Sequence, residues 1–562
     1  MADKVIVSNV SALRAKYGTA GLAKLRAAIR RLIAADKKRS LTTVFIPLDD
    51  ATAMKKLRAP VVTKATNQRQ NKAAIDGVYA ALTPDYVMIL GSVDVVPHQD
   101  LVNLVFDPAN PLDDPDRVVP SDLPYACQAP WSTEPKDFIA PSRVVGRLPD
   151  VTGSKNPAYL LTLLSHAITP VSSPAAKVTA FGLTAQAWQV STDRSLRTLF
   201  GTGTSSQTSP TSGPNWAPVY LDNLVHFINC HGDKKKPEFY GEPNNYPIAH
   251  NAAWITKKIR AGTVAAAECC YGAELYKPAG TSGQICIGNT YLECGSTAYF
   301  GSTTIAYGPA ATNEYADVIC RLFLEEIMKG RSSGDAALTA RLRYAKVSKP
   351  IDTVDLKTLS QFILLGDPSI HPVRIAKTKP AAGAKSMART FAAPFRTSSA
   401  ARAERREESR EDAAVLEVTT PVASEPSDAS EDIVSMIKGH ASQMGMTDVA
   451  VRSYTTRVGS PSNFRSLSAA PSAKLKRATA AARKAPSNGE RVHVALGKRP
   501  QSGANDRLNY PVAIVAKQRP GEDIQLTTIY GKVQASRSDR DGQETSRRRR
   551  VEKRARSRRA GE

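Results

Sequence analysis

The sequence predicts an α/β protein built on a mainly parallel sheet, and three observations carry that prediction. From Met1 to about Ile375, short β-rich apolar runs alternate with stretches of helical period, the trace left by strand–helix–strand units. Apolar residues make up 42% and charged residues 23% of the chain, the balance of an ordinary globular protein rather than of a fibrous or disordered one. At 562 residues the chain exceeds what one core organises, so two or more folded units with linkers are expected.

The expected strands are Thr43–Ile46, Tyr86–Leu90, Val178–Leu183, Leu224–Asn229, Thr263–Ala267 and Thr297–Phe300. Helical period covers Thr19–Ala35, Asn67–Leu82, Ala158–Ala167, Glu314–Met328 and Gly334–Lys346. Residues 1–85 read as an N-terminal α/β portion that joins or packs beside the sheet of residues 86–375. Beyond Pro372 the composition turns to Ala, Ser, Lys, Arg and Pro, and 376–430 reads as a flexible linker. A helix through Ile433 and Ile437, followed by β-like runs at 449–454, 492–496, 511–516 and 524–530, suggests a small basic α+β module over 431–535. Residues 536–562, with four arginines at 547–550, read as a disordered tail.

Charge and cysteine usage narrow the function classes. The net charge is +24, and roughly 36 basic against about 20 acidic residues fall after Ile375, so the basicity belongs mainly to the tail. Such a tail can bind nucleic acid through counterion release, yet it carries no interleaved aromatics and no reading motif, so a solvated tail is the simpler expectation. No stretch of about 18 apolar residues occurs, and the N-terminus has no signal-peptide core, so no membrane partner and a cytoplasmic location are expected. Seven cysteines, five of them within Cys230–Cys294, do not form the pattern of a secreted disulfide framework.

Chemistry concentrates at two strand ends. LVHFINCHGD ends on His231-Gly232, and about forty residues later GTVAAAECCYGAELY ends on Cys269-Cys270-Tyr271-Gly272. Parallel neighbours present their C-terminal ends at one edge, so the two can meet in a cleft. A histidine there can generate a thiolate, and the backbone N–H groups of Gly232 and Cys270 are candidates to hold an oxyanion. A zinc site from the same Cys and His residues is disfavoured, because adjacent Cys-Cys and Cys-His pairs fit one tetrahedron poorly. Neither GLTAQAW nor GSTTIAYG has the lysine of a phosphate loop, and Asp94 in LGSVDVVPH reads as a loop cap. No metal and no cofactor are expected.

His-Gly after one strand and Cys-x-Gly after the next resembles the caspase-like peptidases of clan CD. The segments YVMILGSVDVVP, SDLPYA with SRVVGRLPD, GSTTIAYG and LLGDPSIHP then resemble, in order, the strand-end segments of gingipain-type peptidases of family C25, over about Tyr86–Pro372. The resemblance implies a caspase-like three-layer sandwich and a cysteine endopeptidase acting on protein or peptide substrates through a thioester. It implies His231 as base, Gly232 as oxyanion glycine and Cys270 as nucleophile. Cys269 is the rival, and strand alternation turns it to the opposite face. Relatives often carry an acid beside the nucleophile, and here Glu268 stands one place earlier.

Binding roles stay open. In the segment from Thr184 to Leu199, Asp193 is the sole acid and Trp188 the sole large aromatic. Asp193 could orient His231, receive a basic side chain, or cap a helix beside Arg194. Tyr307 either walls the specificity pocket or is a half-buried structural tyrosine. A preference for Arg or Lys would make Lys377–Arg410 a site of self-cleavage. The alternatives to a peptidase are a catalytically silent scaffold of the same fold and a nucleic-acid-binding protein acting through its tail.

Overall fold

The computed structural model describes residues 2–108, 114–242, 246–375, 399–458, 473–484, 490–500, 509–519 and 522–531. Ten strands form the central sheet: β1 (Lys4–Ser8), β2 (Thr43–Pro47), β3 (Tyr86–Leu90), β4 (Val145–Leu148), β5 (Ala180–Ala185), β6 (Gln207–Ser209), β7 (Val225–Asn229), β8 (Val264–Ala267), β9 (Ala298–Ser302) and β10 (Phe362–Leu365). Their spatial order is β2-β1-β3-β4-β10-β9-β8-β7-β5-β6. Every pairing is parallel except β9–β10, so two parallel halves meet there in opposite directions. The N-terminal strands β1 and β2 are part of this sheet.

Two apolar cores lie on the two faces, and strand alternation assigns residues between them. One core takes Ile228, Ala265, Ala267, Tyr299 and Leu365 and packs them against α1 (Val10–Lys38), α2 (Gln68–Leu82), α3 (Ala158–Ile168) and α5 (Ile287–Glu293). The other takes Phe227, Ala266, Phe300 and Leu364, with Leu196 of α4 (Gln189–Phe200), Phe323 of α6 (Ala316–Met328), Ala337 of α7 (Ser333–Val347) and Leu359 of α8 (Thr353–Gln361). The result is a helix–sheet–helix sandwich, the three-layer architecture expected.

Buried charges fasten the segments between strands. Arg147 of β4 is fully buried and donates to Asp122 and to the carbonyls of Gly91 and Val96 at 2.9 and 2.8 Å. Burial alone would raise the Asp122 carboxyl, but Arg147 and His98 outweigh it and hold the group well below the ordinary carboxylate range. Asp94 accepts from Lys16 and from the Gly153 N–H, both at 2.8 Å, which is the role of a loop cap.

The expected linker needs correction. Residues 376–398 lie outside the described residues, but the rest of that stretch is ordered as α9 (Ser399–Thr419) and β11 (Val422–Ser427). The Ala-, Arg- and Glu-rich composition that suggested a linker is a sequence of good helix formers. Ala413, Ala414, Leu416 and Val418 give it a buried face, and Arg402 reaches Asp3 and Asp85 at 2.7 and 2.9 Å.

The C-terminal α+β module consists of α10 (Glu431–Gln443) and the antiparallel strands β11, β12 (Thr447–Arg457), β13 (Arg491–Pro500), β14 (Asn509–Gln518) and β15 (Gln525–Gly531). One face of the sheet packs on α10 through Ala495, Val512 and Ile514. The opposite face sends Val494, Leu496, Val515 and Ile529 into the same core as Cys270. Lys517 bridges Asp352 and Asp355 at 3.0 and 2.9 Å, and β15 pairs antiparallel with Tyr307–Gly308. The module is therefore docked on the central body. The arginine-rich tail at 547–550 lies outside the described residues. Among the described residues, no helix is long and apolar enough to cross a membrane.

Candidate active site

The parallel register of β7 and β8, Val225 to Ile228 against Val264 to Ala267, brings the two chemical strand ends side by side. The Glu268 N–H donates to the Ile228 carbonyl at 2.8 Å, and the Cys230 N–H reaches the Cys269 sulfur at 3.3 Å. Alternation then divides the cysteines. Cys269 belongs to the core containing Ile228 and Tyr299, and Cys270 to the opposite core with Tyr271, Ala306 and Tyr307.

Gly232 lies directly against the backbone of Cys270. A Cβ at position 232 would fall 1.9 Å from the Cys270 carbonyl oxygen and 2.8 Å from its carbonyl carbon. Only a residue without a side chain allows the two loops this approach.

His231 opens a small antiparallel sheet with Glu238–Tyr240 and Ile248–Asn251, which turns the chain back past its own ring. The imidazole is 2% exposed. Trp188 packs on it at 4.5 Å between ring centroids, and Tyr246 meets it edge-on at 4.7 Å. Its Nε2 faces Glu242 Oε2 at 3.5 Å, the outer limit of a hydrogen bond, while Nδ1 is buried with no hydrogen-bond partner among the described residues. Trp188 and His231 are thus brought together. Asp193 is placed elsewhere: its carboxylate accepts from the Ser206 N–H and hydroxyl at 2.8 and 2.7 Å, with Arg197 at 3.8 Å. The carboxylate beside the imidazole is Glu242, which sequence reasoning missed because it looked before the histidine strand.

Cys270 is completely buried. Its sulfur accepts from the Ala306 N–H at 3.2 Å and faces the Ala306 carbonyl at 3.6 Å. The next residue, Tyr271, has φ +55°, a left-handed conformation costly outside glycine and a mark of a constrained site. Its hydroxyl donates to Asp116 at 2.7 Å, and the fully buried Tyr307 donates to Asp114 at 3.0 Å. Asp114 and Asp116 were not among the residues singled out in the sequence.

Glu274 ties the two loops from the other side by accepting the Lys235 N–H at 2.6 Å. Burial pushes its carboxyl up to about 7, against the lowering pull of that N–H and of the Lys234 charge. Unfolded, it titrates near 4.5. Its contribution to stability is therefore fully present below pH 4.5 and is lost as pH rises through about 7. Glu274→Gln is expected to stabilise the protein by about 2 kcal/mol at pH 8 and to change little at pH 4. Chemical denaturation at the two pH values checks this, and an equal effect at both would refute it.

A family model described as Peptidase family C25 matches residues 223–373, the stretch that contains His231, Gly232, Cys269, Cys270 and Tyr307. This segment is C25-like, of the cysteine peptidases of clan CD, and places the chain among cysteine-type hydrolases. No curated protein sequence matches. Among solved structures, one described as "Structure of Protease" is similar at 12% identity, over 95% of this chain and 97% of that one, with a TM-score of 0.42. The complex of Porphyromonas gingivalis RgpB pro- and mature domains is similar at 12% identity, over 66% and 79%, with a TM-score of 0.41. The Saccharomyces cerevisiae separase–securin complex follows at 15% identity, over 43% and 15%, with a TM-score of 0.25. At these TM-scores no further step rests on the structural likenesses.

Proposed function

We propose that this chain is a cysteine endopeptidase in which His231 and Cys270 form the catalytic dyad. The observation that carries the reading is the contact of Gly232 with the Cys270 backbone, which holds base loop and nucleophile loop together at one sheet edge. His231 Nδ1, buried and without a partner among the described residues, takes the thiol proton, and Glu242 at Nε2 steadies the imidazolium. The thiolate attacks the scissile carbonyl, and the N–H groups of Gly232 and Cys270 receive the oxyanion. The imidazolium returns its proton to the leaving amine. Water then cleaves the thioester and regenerates the thiol.

A peptidyl acyloxymethyl-ketone tests this. Wild type is expected to label on Cys270, and His231→Ala to lose the label; labelling that survives His231→Ala would sink the dyad.

The burial of Cys270, with its sulfur held by Ala306, favours a second reading, a catalytically silent scaffold of the same fold that works by binding. Under it, the folded wild type takes no label at all. Under the first, the buried thiol is the resting state of a regulated protease acting in a reducing compartment. None of the seven cysteines, all within the described residues, forms a disulfide, which fits that compartment. Should the peptidase cut after Arg or Lys, self-processing within Lys377–Arg410 belongs to the same proposal. Identical full-length masses for wild type and Cys270→Ala after purification would argue against it.

A further inference from the structure

The mouth between the two catalytic loops is bridged by a carboxylate of the chain itself. Asp116 Oδ1 takes the Lys234 ammonium at 2.9 Å, and Oδ2 takes the Tyr271 hydroxyl at 2.7 Å. Lys234 stands three residues after His231, and Tyr271 directly follows Cys270. Two residues earlier, Asp114 is held by the Tyr307 hydroxyl and by Lys357, and Tyr307 follows Ala306, the residue touching the Cys270 sulfur. The segment Asp114-Pro115-Asp116 therefore joins the residue that follows Cys270 to the residue that follows its Ala306 contact, one carboxylate to each.

We propose, resting on the Cys270–His231 reading above, that this peptidase selects substrates with acidic side chains close to the scissile bond, and that Asp116 occupies the acid-binding subsite of Lys234 and Tyr271 until a substrate carboxylate displaces it.

The charge around the mouth points the same way. Lys234, Lys235 and Lys236 form an exposed cationic lip immediately after His231-Gly232-Asp233. Such a lip concentrates anionic ligands at the cleft. The acids beside the lip are engaged, Glu274 by the Lys235 N–H and Asp233 by the Lys234 N–H, and Asp193, the one acid that the sequence suggested for a basic side chain, is held away from the site by Ser206. A carboxylate and a Lys–Tyr pair also match chemically, since an ammonium and a phenol hydroxyl supply two donors to two oxygens.

The two anchors differ in how readily they exchange. The Lys357–Asp114 pair is buried on both sides, with side-chain exposures of 1% and 0%. Breaking it strands a charge in a dry interior. Lys234 is 52% exposed and Asp116 3% exposed, so the ammonium can be reached from solvent by a substrate carboxylate, while Asp116 itself stays buried on the Tyr271 side. Asp114 is therefore the more firmly held carboxylate, and the Lys234 end of Asp116 is where exchange occurs.

Matched quenched peptides that differ only in carrying Asp, Ala or Arg near the scissile bond test this on the full chain. Wild type is expected to show a kcat/KM at least tenfold higher for the Asp peptides than for the Ala or Arg peptides. Lys234→Glu should abolish or reverse that ratio, and Lys234→Arg should keep it. Asp116→Asn should raise kcat/KM on Asp peptides severalfold and speed alkylation of Cys270 by iodoacetamide. If Cys270 labels and peptides are cut, but with equal or Arg-favouring rates, the acid subsite is overturned while the dyad stands. If Lys234→Glu leaves the ratio unchanged, the subsite is likewise overturned. If no variant labels or cleaves, both readings fall together.

Discussion

Replacing Cys270 by alanine is expected to lower kcat/KM on a peptide substrate about 10⁴-fold, whereas Cys269→Ala keeps the activity and costs the fold about 1–2 kcal/mol. The contrast follows from one turn of strand alternation. Both thiols are fully buried, but Cys269 sits among the packed side chains of the first core with its sulfur accepting the Cys230 N–H, a position that substrate does not reach. Cys270 projects to the opposite face at the strand end, beside Gly232 and beneath Ala306. Removing a nucleophile eliminates the covalent route, and only the weak assistance of oxyanion donors and binding remains. Removing a core thiol leaves a small cavity. Steady-state kinetics with thermal unfolding on the two single variants separates these outcomes. Inactivity of Cys269→Ala alongside an active Cys270→Ala would transfer the nucleophile to the neighbour.

What was legible in the sequence depended on whether apolar pattern alone decided the structure. β3, β7, β8 and β9 are short runs of Val, Ile, Ala and aromatic residues buried on both faces, and such runs announce themselves. β1, β4, β6 and β10 were not among the expected strands, and β1 and β4 each carry a cation inside the sheet. Lys4 of β1 is fully buried between Asp36 and Asp367, and Arg147 of β4 is fully buried on Asp122. A lysine or arginine in a central strand is acceptable only when distant carboxylates meet it, and their meeting is a property of the fold, not of the local pattern. α9 failed for the converse reason, since a polar helix with a narrow apolar stripe resembles a linker until a partner surface is supplied.

The site divides in the same way. His231, Gly232, Cys270 and Trp188 could be singled out because strand ends and a lone large aromatic are readable features. Glu242 lies eleven residues beyond His231 and comes back only through the return of a short hairpin. Asp116 is more than a hundred residues before the loops it bridges, and Ala306 contributes only backbone atoms to Cys270. Nothing in residue type or spacing marks contacts of that kind.

Gly232→Ala is expected to cost at least 10²-fold in kcat/KM and to lower the melting temperature by several degrees, although it adds a single methyl group. That methyl would stand 1.9 Å from the Cys270 carbonyl oxygen, 2.8 Å from its carbon and 3.1 Å from its nitrogen. All three are backbone atoms of a buried strand end, so no side chain can swing aside to make room. The loops must move apart by about an ångström or more, which is the scale of displacement that disables a catalytic pair. The same displacement separates the two N–H groups assigned to the oxyanion, so the loss should appear mainly in kcat. Gly439→Ala is the matched control. It adds the same methyl in α10, where nothing lies within 4 Å, and should stabilise the protein by about 0.5–1 kcal/mol through helix propensity. A Gly232→Ala enzyme with wild-type kcat would show that the two loops do not need their close approach, and with it would fall the observation on which the dyad rests.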